Sequence, residues 1–302
     1  MSIWQHHELY RDLNKLCNLD FYNTCFKPCF FCGAKLNSRA LDVTEFTHAP
    51  DLISMFKTDL LDVTRRKFPE YFTDLPDSYF EILDKESSDL YSYCYACEFC
   101  GWWIADYRGF LAAKDMIWEV IAGVSAVLKE FDISDISTPI QDIRSFLSGR
   151  YKTRNILHPI KYEEVVASVF SDLGYDVKLT SYNHDDGIDI LLENDSDCIG
   201  VQVKRTKNKI QIDTIRSFVG ALILGGFTKG IFVTTSDFTK VSRATADIAN
   251  KSIIPIELWD ASSFLEVLKV AQVSCFDFDS ILNSVLKTEF WTPIAFCNLN
   301  SL

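Results

Sequence analysis

The fold of this chain is decided by residues 185–204, which read DDGIDILLENDSDCIGVQVK. Apolar side chains alternate at both ends of this stretch, at Ile188 and Ile190 in the first half and at Val201 and Val203 in the second. A period of two is typical of β-strands, and the polar residues between the halves favour a tight connection. The stretch therefore predicts a β-hairpin.

Three polar side chains occupy the other positions of the hairpin. Side chains two apart on a strand share a face, so Asp189 is expected opposite Ile188 and Ile190, and Gln202 and Lys204 are expected to project together. A carboxylate, an amide and an ammonium group at one end of a sheet suit a divalent metal beside a phosphate. A surface hairpin with ordinary solvated polar residues is the alternative that the spacing leaves open.

Length and composition predict a globular protein with about two domains. The chain has 302 residues, of which 48% are apolar and 14% aromatic, enough for sizeable cores. No apolar run approaches the roughly 20 residues of a membrane span. Residues 1–8 lack the basic and apolar regions of a signal peptide. We expect a soluble cytoplasmic protein with no membrane partner.

The formal charge of −12 argues against a broad electrostatic grip on nucleic acid, but it hides two basic strips. The first spans residues 150–161, with Arg150, Lys152, Arg154 and Lys161 and no acid. The second spans residues 201–216, with Lys204, Arg205, Lys207, Lys209 and Arg216 against Asp213 alone. Both flank the hairpin, which fits a nucleic-acid enzyme, although such strips are more commonly solvated faces.

The ten cysteines are concentrated near the N-terminus, where two pairs have the form C-x-x-C-G. Such a knuckle can hold one metal ion with two sulfurs, and its glycine permits a positive φ. Together Cys29, Cys32, Cys97 and Cys100 would supply four thiolates to a structural Zn²⁺, in a region that resembles zinc ribbons and treble-clef modules. Redox-active or unliganded cysteines are the alternative, and Cys25 and Cys94 are rival ligands.

More than sixty residues separate the two knuckles, and their pattern is helical. An apolar stripe predicts a helix over residues 51–72, and a weaker one predicts a second over residues 77–90. Residues 1–110 are thus expected to be a helix-rich zinc region. Trp102, Trp103 and Arg108 could form a reading surface for nucleic acid or protein, but a packed aromatic face is favoured.

The rest of the chain divides into a connector, a catalytic domain and a tail. Apolar residues spaced i, i+3, i+4 predict a helix over residues 111–130, and a second follows Pro139, giving a helical connector over residues 111–155. From residue 156 to 272 the predicted order is α-β-β-β-α-β-α-β-α, an α/β domain whose mixed sheet has helices on both faces. Residues 273–302 are left as a C-terminal tail.

That order, with D-G-I-D followed by Q-x-K, resembles the Mrr-type branch of the PD-(D/E)xK restriction endonuclease superfamily. The resemblance covers residues 158 to about 270. The strings that carry it are Tyr162-Glu163, Gly174-Tyr175, Asp185-Asp186-Gly187-Ile188-Asp189, Gln202-Val203-Lys204-Arg205, and Gly230-Ile231-Phe232-Val233-Thr234-Thr235-Ser236.

The resemblance implies a DNA endonuclease that depends on Mg²⁺ or Mn²⁺. In it, Asp189 would be the central metal-binding acid, Gln202 would replace the usual acidic ligand, Lys204 would be the catalytic lysine, and Glu163 would be a further metal-facing acid borne by a helix. The implied role is restriction or anti-phage defence, with a homodimer or higher oligomer and a partner protein of the defence system. The alternatives are a catalytically silent nucleic-acid-binding or scaffold protein and a nuclease for DNA repair or RNA.

Residues near the predicted site have simpler interpretations as well. Asp186 is expected to form a turn, Asp185 is left open between turn and metal shell, and a solvated loop is favoured for His184. The hydroxyl groups of Thr234, Thr235 and Ser236 either contact phosphate or cap the turn that follows their strand.

Overall fold

The computed structural model describes residues 4–5, 28–29, 31–47, 91–113, 116–129, 132–180, 187–194, 197–287, 292–293 and 297–300. It divides the chain into two compact units. The first unit comprises residues 1–130 and 277–302, and the second comprises residues 131–276.

The described elements are numbered in chain order. The strands are β1 (Trp4–Gln5), β2 (Asn37–Asp42), β3 (Tyr91–Ala96), β4 (Trp103–Ala113), β5 (Met116–Lys129), β6 (Asp176–Leu179), β7 (Ile190–Glu193), β8 (Cys198–Lys204), β9 (Lys229–Thr234), β10 (Ile256–Trp259), β11 (Thr292–Pro293) and β12 (Cys297–Asn300). The α-helices are α1 (Ile140–Arg150), α2 (Pro159–Asp172), α3 (Ile212–Leu224), α4 (Lys240–Ser252), α5 (Ala261–Ser274) and α6 (Phe278–Val285). Two 3-10 helices span Val43–Glu45 and Tyr151–Ile156.

The first unit is built on an antiparallel sheet in the order β1-β5-β4-β3-β2. β5 pairs with β4 along most of its length and also with β11 and β12. The helix predicted over residues 111–130 is therefore wrong. The stretch contains five Val and Ile residues, which favour strands, and its apolar residues are frequent enough to satisfy helical spacing by coincidence.

The predicted C-terminal tail is also wrong in part. α5 continues to Ser274, and the chain then forms α6 before β11 and β12 join the first sheet. The Arg39 guanidinium on β2 lies 2.6 Å from the Asp279 carboxylate on α6 and over the Phe278 ring. The helices predicted at 51–72 and 77–90 lie outside the described residues.

The second unit confirms the predicted α/β order. Its five strands lie in the order β10-β9-β8-β7-β6, with β8, β9 and β10 parallel and with β6, β7 and β8 antiparallel. The helix predicted after Pro139 is α1. α1, α2 and α5 contribute to a core cluster with the side chains of Ile190, Val201 and Val233. α3 and α4 contribute to a second cluster with Phe232 and Ile256.

Two glycines allow α3 to lie close against the sheet. Gly200 on β8 and Gly230 on β9 are paired neighbours. A Cβ atom at Gly230 would lie 2.2 Å from Leu222 Cδ1, and one at Gly200 would lie 2.7 Å from Leu222 Cδ2. The missing side chains thus leave room for Leu222 beside the predicted hairpin.

Candidate active site and cysteine cluster

Asp189 lies immediately before β7, at the start of the predicted hairpin. Its Oδ2 accepts a hydrogen bond of 2.6 Å from the backbone N–H of Val203 on β8. Its own N–H donates to the carbonyl of Val201 at 2.8 Å. The carboxylate is therefore held against β8 at the residue that separates Gln202 from Lys204.

The predicted alternation of Ile188 and Ile190 is wrong at this point. Ile190 belongs to the core cluster with α2, whereas Ile188 belongs to the cluster with α3. Regular strand structure begins only at Ile190, after a turn in which Gly187 has a φ of +84°. Residues that follow a left-handed glycine need not continue the pleat, so the two isoleucines enter different cores.

Thr180 also fixes the chain around Asp189, although the sequence analysis did not single it out. Its Oγ1 donates to the carbonyls of Ile188 and Asp189 at 2.8 and 3.0 Å, and its N–H donates to the carbonyl of Asp189. A hydroxyl residue at the end of a strand is too common to mark this role in a sequence.

Gln202 carries an oxygen that the protein leaves without a donor. Its side chain is half-buried, and Oε1 is buried with no hydrogen-bond partner among the described residues. A buried amide oxygen without a partner is costly, unless a ligand satisfies it. An amide oxygen and a carboxylate are both ligands that suit Mg²⁺, so Gln202 and Asp189 have the chemistry of a magnesium site.

Lys204 ends β8 and pairs in register with Thr234 on β9. Its side chain is exposed and forms no ion pair within the described part of the chain. The carboxylate of Asp189, the amide of Gln202 and the ammonium of Lys204 thus belong to one end of the β7–β8 pair.

Glu163 lies half-buried on α2, a helix that packs against β6, β7 and β8. Its neighbour Tyr162 is fully buried, and its hydroxyl group forms a hydrogen bond of 3.0 Å with that of Tyr151. Burial raises the pKa of Tyr162 well above its ordinary value, and it raises the pKa of Tyr151 to about 12. The role of Glu163 as a metal ligand stays a prediction, and His184, Asp185 and Asp186 lie outside the described residues.

The hydroxyl groups at the end of β9 bind backbone. Thr234 Oγ1 donates to the carbonyl of Lys204, and Thr235 Oγ1 donates to that of Thr206. Both side chains are buried. These bonds join the end of β9 to the backbone at the end of β8 and just beyond it. Thr234 Oγ1 also accepts from the N–H of Ser236 at 3.2 Å, which is the turn-capping contact of one of the two interpretations.

The four cysteines of the C-x-x-C-G pairs come together in the first unit. The sulfurs of Cys29, Cys32, Cys97 and Cys100 lie within 4.8 Å of one another, a group that could hold a metal ion. Sγ–Sγ distances are 3.5 Å for one pair across the knuckles and 3.4 Å for the other. A tetrahedral Zn²⁺ with bonds of about 2.3 Å would separate its sulfurs by about 3.8 Å.

Both knuckles have the same backbone geometry. Gly33 and Gly101 have φ values of +71° and +69°. Each glycine N–H donates to the carbonyl of the first cysteine of its knuckle, at 2.8 and 3.0 Å. The glycines thus perform the function that the sequence predicted for them.

Hydrogen bonds within the cluster favour thiolates at two positions. Hydrogen bonding from the Cys100 thiol lowers the pKa of Cys32 and Cys97. The same kind of contact, chiefly with Cys29, raises the pKa of Cys100. A cation among the sulfurs would favour the thiolate form of all four.

The residues around the cluster pack as a small core. Trp102 belongs to this core, where its ring meets Phe31 edge-on with centroids 6.0 Å apart. Trp103 is also buried, although it does not belong to the same core. The favoured interpretation of a packed aromatic face is therefore confirmed for both tryptophans. Cys94 is buried on β3 outside the group of four, and Cys25 lies outside the described residues.

Comparison with known proteins supports the assignment of the second unit. Residues 155–268 match the Mrr catalytic family model, described as restriction endonuclease. The chain carries an Mrr-type restriction endonuclease domain. No curated protein sequence matches the chain.

Three solved structures share low similarity with this chain, and two of them are restriction endonucleases. AspBHI, a DNA modification-dependent restriction endonuclease, is 16% identical with a TM-score of 0.33; 58% of this chain and 45% of AspBHI are covered. MspJI restriction endonuclease, solved with a 27-mer oligonucleotide, is 19% identical with a TM-score of 0.30; 49% of this chain and 33% of MspJI are covered. AF1548, of unknown function, is 16% identical with a TM-score of 0.31; 41% of this chain and 77% of AF1548 are covered.

The chain thus spans less than half the length of each of the two endonucleases. Among the described helices, none has the length and apolar character needed to cross a membrane.

Proposed function

We propose that this protein is a cytoplasmic Mg²⁺-dependent DNA endonuclease that acts in restriction or anti-phage defence, with Mn²⁺ as an alternative ion. One observation carries the proposal. Inside a restriction endonuclease domain, the buried Oε1 of Gln202 has no partner among the described residues, and it belongs to the same strand end as Asp189 and Lys204.

Asp189, Gln202 and Glu163 would hold the ion, with phosphate and water completing its shell. When bound, Mg²⁺ would polarise the phosphate and favour ionisation of a water. The hydrogen bond from Val203 N–H fixes one oxygen of Asp189, so the carboxylate is oriented before substrate arrives.

Lys204 would act on the scissile phosphate. Its ammonium group offers a positive charge where negative charge develops, and a preorganised charge of this kind favours the transition state. It would also orient the attacking water or help to deprotonate it. Because its carbonyl is bonded to Thr234, the backbone that carries this side chain is fixed.

The cysteine cluster would hold a structural Zn²⁺. Four thiolates close the coordination shell, which leaves no position for substrate. The first unit would then serve recognition, contact with a defence partner protein, or assembly into a dimer or higher oligomer, since cutting both strands is simplest with two active sites.

The reaction class is tested with supercoiled plasmid DNA and an RNA of similar length. We expect nicked and linear plasmid in Mg²⁺ or Mn²⁺, no products without divalent ion, and little cleavage of RNA. Cleavage of RNA alone would replace the proposal with a ribonuclease. Absence of cleavage with every ion would favour a catalytically silent binding protein.

A further inference from the structure

Eight of the sixteen basic side chains in the second unit form the ion pairs given next. The pairs join Arg144 to Asp172, Lys161 to Glu164, Lys178 to Glu193, Lys209 to Asp237, Arg216 to Asp213, Lys229 to Glu257, Arg243 to Asp237 and Asp260, and Lys269 to Glu266. Lys152, Arg154, Lys204, Arg205 and Lys207 form no ion pair with a described residue, and these five lie in the two basic strips. Lys240 and Lys251 form none with a described residue either, but they lie on α4, outside the strips.

Two arginines join these strips. The Nε of Arg154 donates to the carbonyl of Thr235 at 2.7 Å, just beyond β9. The Nη1 of Arg205 donates to the carbonyl of Asn155 at 2.7 Å. The 3-10 helix Tyr151–Ile156 is therefore fastened beside the end of β8, where Lys204 lies.

The backbone that follows Lys204 is held by a further series of bonds. The carbonyls of Lys204, Thr206 and Lys207 accept from three successive hydroxyl residues at the end of β9, at 3.0, 2.9 and 3.3 Å. The side chains of Lys152, Lys204 and Lys207 are nevertheless exposed. This arrangement places exposed ammonium groups on a fixed backbone, and the fixed backbone limits the ordering cost of binding.

We propose that Lys152 and Lys207 bind backbone phosphates of duplex DNA next to the phosphate that meets Lys204. This inference rests on the proposed function and assigns its substrate-binding surface. In a chain of net charge −12, a local set of unpaired cations directs a polyanion to one place. Arg154 and Arg205 act as clamps, because their guanidinium groups are engaged with backbone carbonyls.

The test measures how salt weakens DNA binding. The full chain with Asp189→Ala, which is expected not to cut, is titrated with a fluorescent duplex over a range of KCl concentrations. Lys152→Ala and Lys207→Ala are added singly and together. Lys251→Ala is the matched control. Because α4 runs from the end of β9 back to the start of β10, the exposed Lys251 lies at the opposite end of the parallel strands from Lys204.

The slope of log K against log salt is negative, and each lost phosphate contact should reduce its magnitude by about 0.9. At 0.15 M salt this corresponds to about fivefold weaker binding for each single variant and about 30-fold for the double variant. The loss should be the same for duplexes of unrelated sequence, and Lys251→Ala should change neither the slope nor the affinity. Thermal unfolding of each variant checks that the fold is retained.

A slope unchanged in the double variant overturns the proposal, as does an equal loss in Lys251→Ala or no salt-dependent binding of duplex at all. Cleavage by the wild-type chain separates this result from the proposed function. If the wild type cuts DNA and the slope is unchanged, only the surface is wrong. If the magnitude of the slope falls and no cleavage occurs, the surface stands and the endonuclease does not.

Discussion

The two candidate metal sites differ in how completely their surroundings are determined by local sequence. Each half of the cysteine cluster is a five-residue knuckle that closes on itself through a glycine N–H. The nuclease site combines a residue before β7, two residues of β8 and a predicted ligand from α2. The first site is closed and sulfur-rich, which suits a structural ion. The second is oxygen-rich and includes an exposed lysine, which suits catalysis.

The largest expected effect is loss of the sulfur site. Cys97→Ser removes a buried ligand, and a structural zinc site can contribute on the order of 10 kcal/mol to folding. We expect one Zn²⁺ per chain in the wild type and none in the variant by elemental analysis, with loss of ordered structure in the first unit by hydrogen exchange. Exposed Cys275→Ser in the other unit is the control. A fully metallated, folded Cys97→Ser protein would show that the cluster is not a zinc site.

A glycine substitution tests whether the nuclease site depends on its turn. Gly187→Ala puts a side chain at φ +84°, which costs about 1–2 kcal/mol. The new Cβ would also lie 3.8 Å from Gln202 Nε2. We expect lower stability together with slower DNA cleavage. Gly226→Ala is matched in strain, at φ +71° with open space around it, and should lose stability alone. If Gly187→Ala and Gly226→Ala lose the same amount of cleavage activity, Gly187 has no specific role in the site.

The charge of the oxygen site is tested by Gln202→Glu. A carboxylate in place of the amide adds a negative charge to the ligand set, so Mg²⁺ should bind about tenfold more tightly without DNA, or about 1.4 kcal/mol. In the wild type, we expect binding to tighten when the phosphate of DNA arrives. Calorimetric titration of both proteins, with and without uncut duplex, gives the comparison. If the wild type without DNA binds Mg²⁺ more tightly than Gln202→Glu without DNA, this hypothesis is contradicted.

The smallest effect concerns acid stability near the nuclease site. Hydrogen bonds from Lys209, and then Arg243 and the N–H of Phe238, lower the pKa of Asp237 to about 2. A lowered pKa in the folded state stabilises the protein above the unfolded value of about 3.9, and the benefit is lost as pH falls from about 4 to about 2. Asp237 is largely exposed, so the effect should stay below about 1 kcal/mol.

Comparison of wild type with Asp237→Asn checks this sign. The difference in unfolding free energy should be present at pH 5 and should shrink toward pH 2.5. Asp213→Asn, an exposed acid with one 3.5 Å ion pair, is the control. A difference that grows as the pH falls would contradict the assignment.

Sequence patterns predicted those parts of the molecule that depend on local spacing. The order of helices and strands in the second unit followed from amphipathic periods bounded by glycines, and both knuckles followed from C-x-x-C-G. Patterns failed at β5, where frequent β-branched residues satisfied helical spacing, and at Ile188, where the Gly187 turn interrupted the alternation. The bond from Val203 N–H to Asp189 depends on strand pairing, so no single stretch could have predicted it.

The proposed function depends on one hypothesis, that Asp189 and Lys204 form a metal-dependent phosphodiesterase site. Its most direct test is single-turnover cleavage of plasmid DNA in Mg²⁺ by the wild type, Asp189→Ala and Lys204→Ala, with Lys251→Ala as the control. We expect losses of about 10³-fold for each of the two site variants. All four proteins should fold normally, and Lys251→Ala should cut at the wild-type rate. Cleavage at wild-type rates by both Asp189→Ala and Lys204→Ala would contradict the hypothesis.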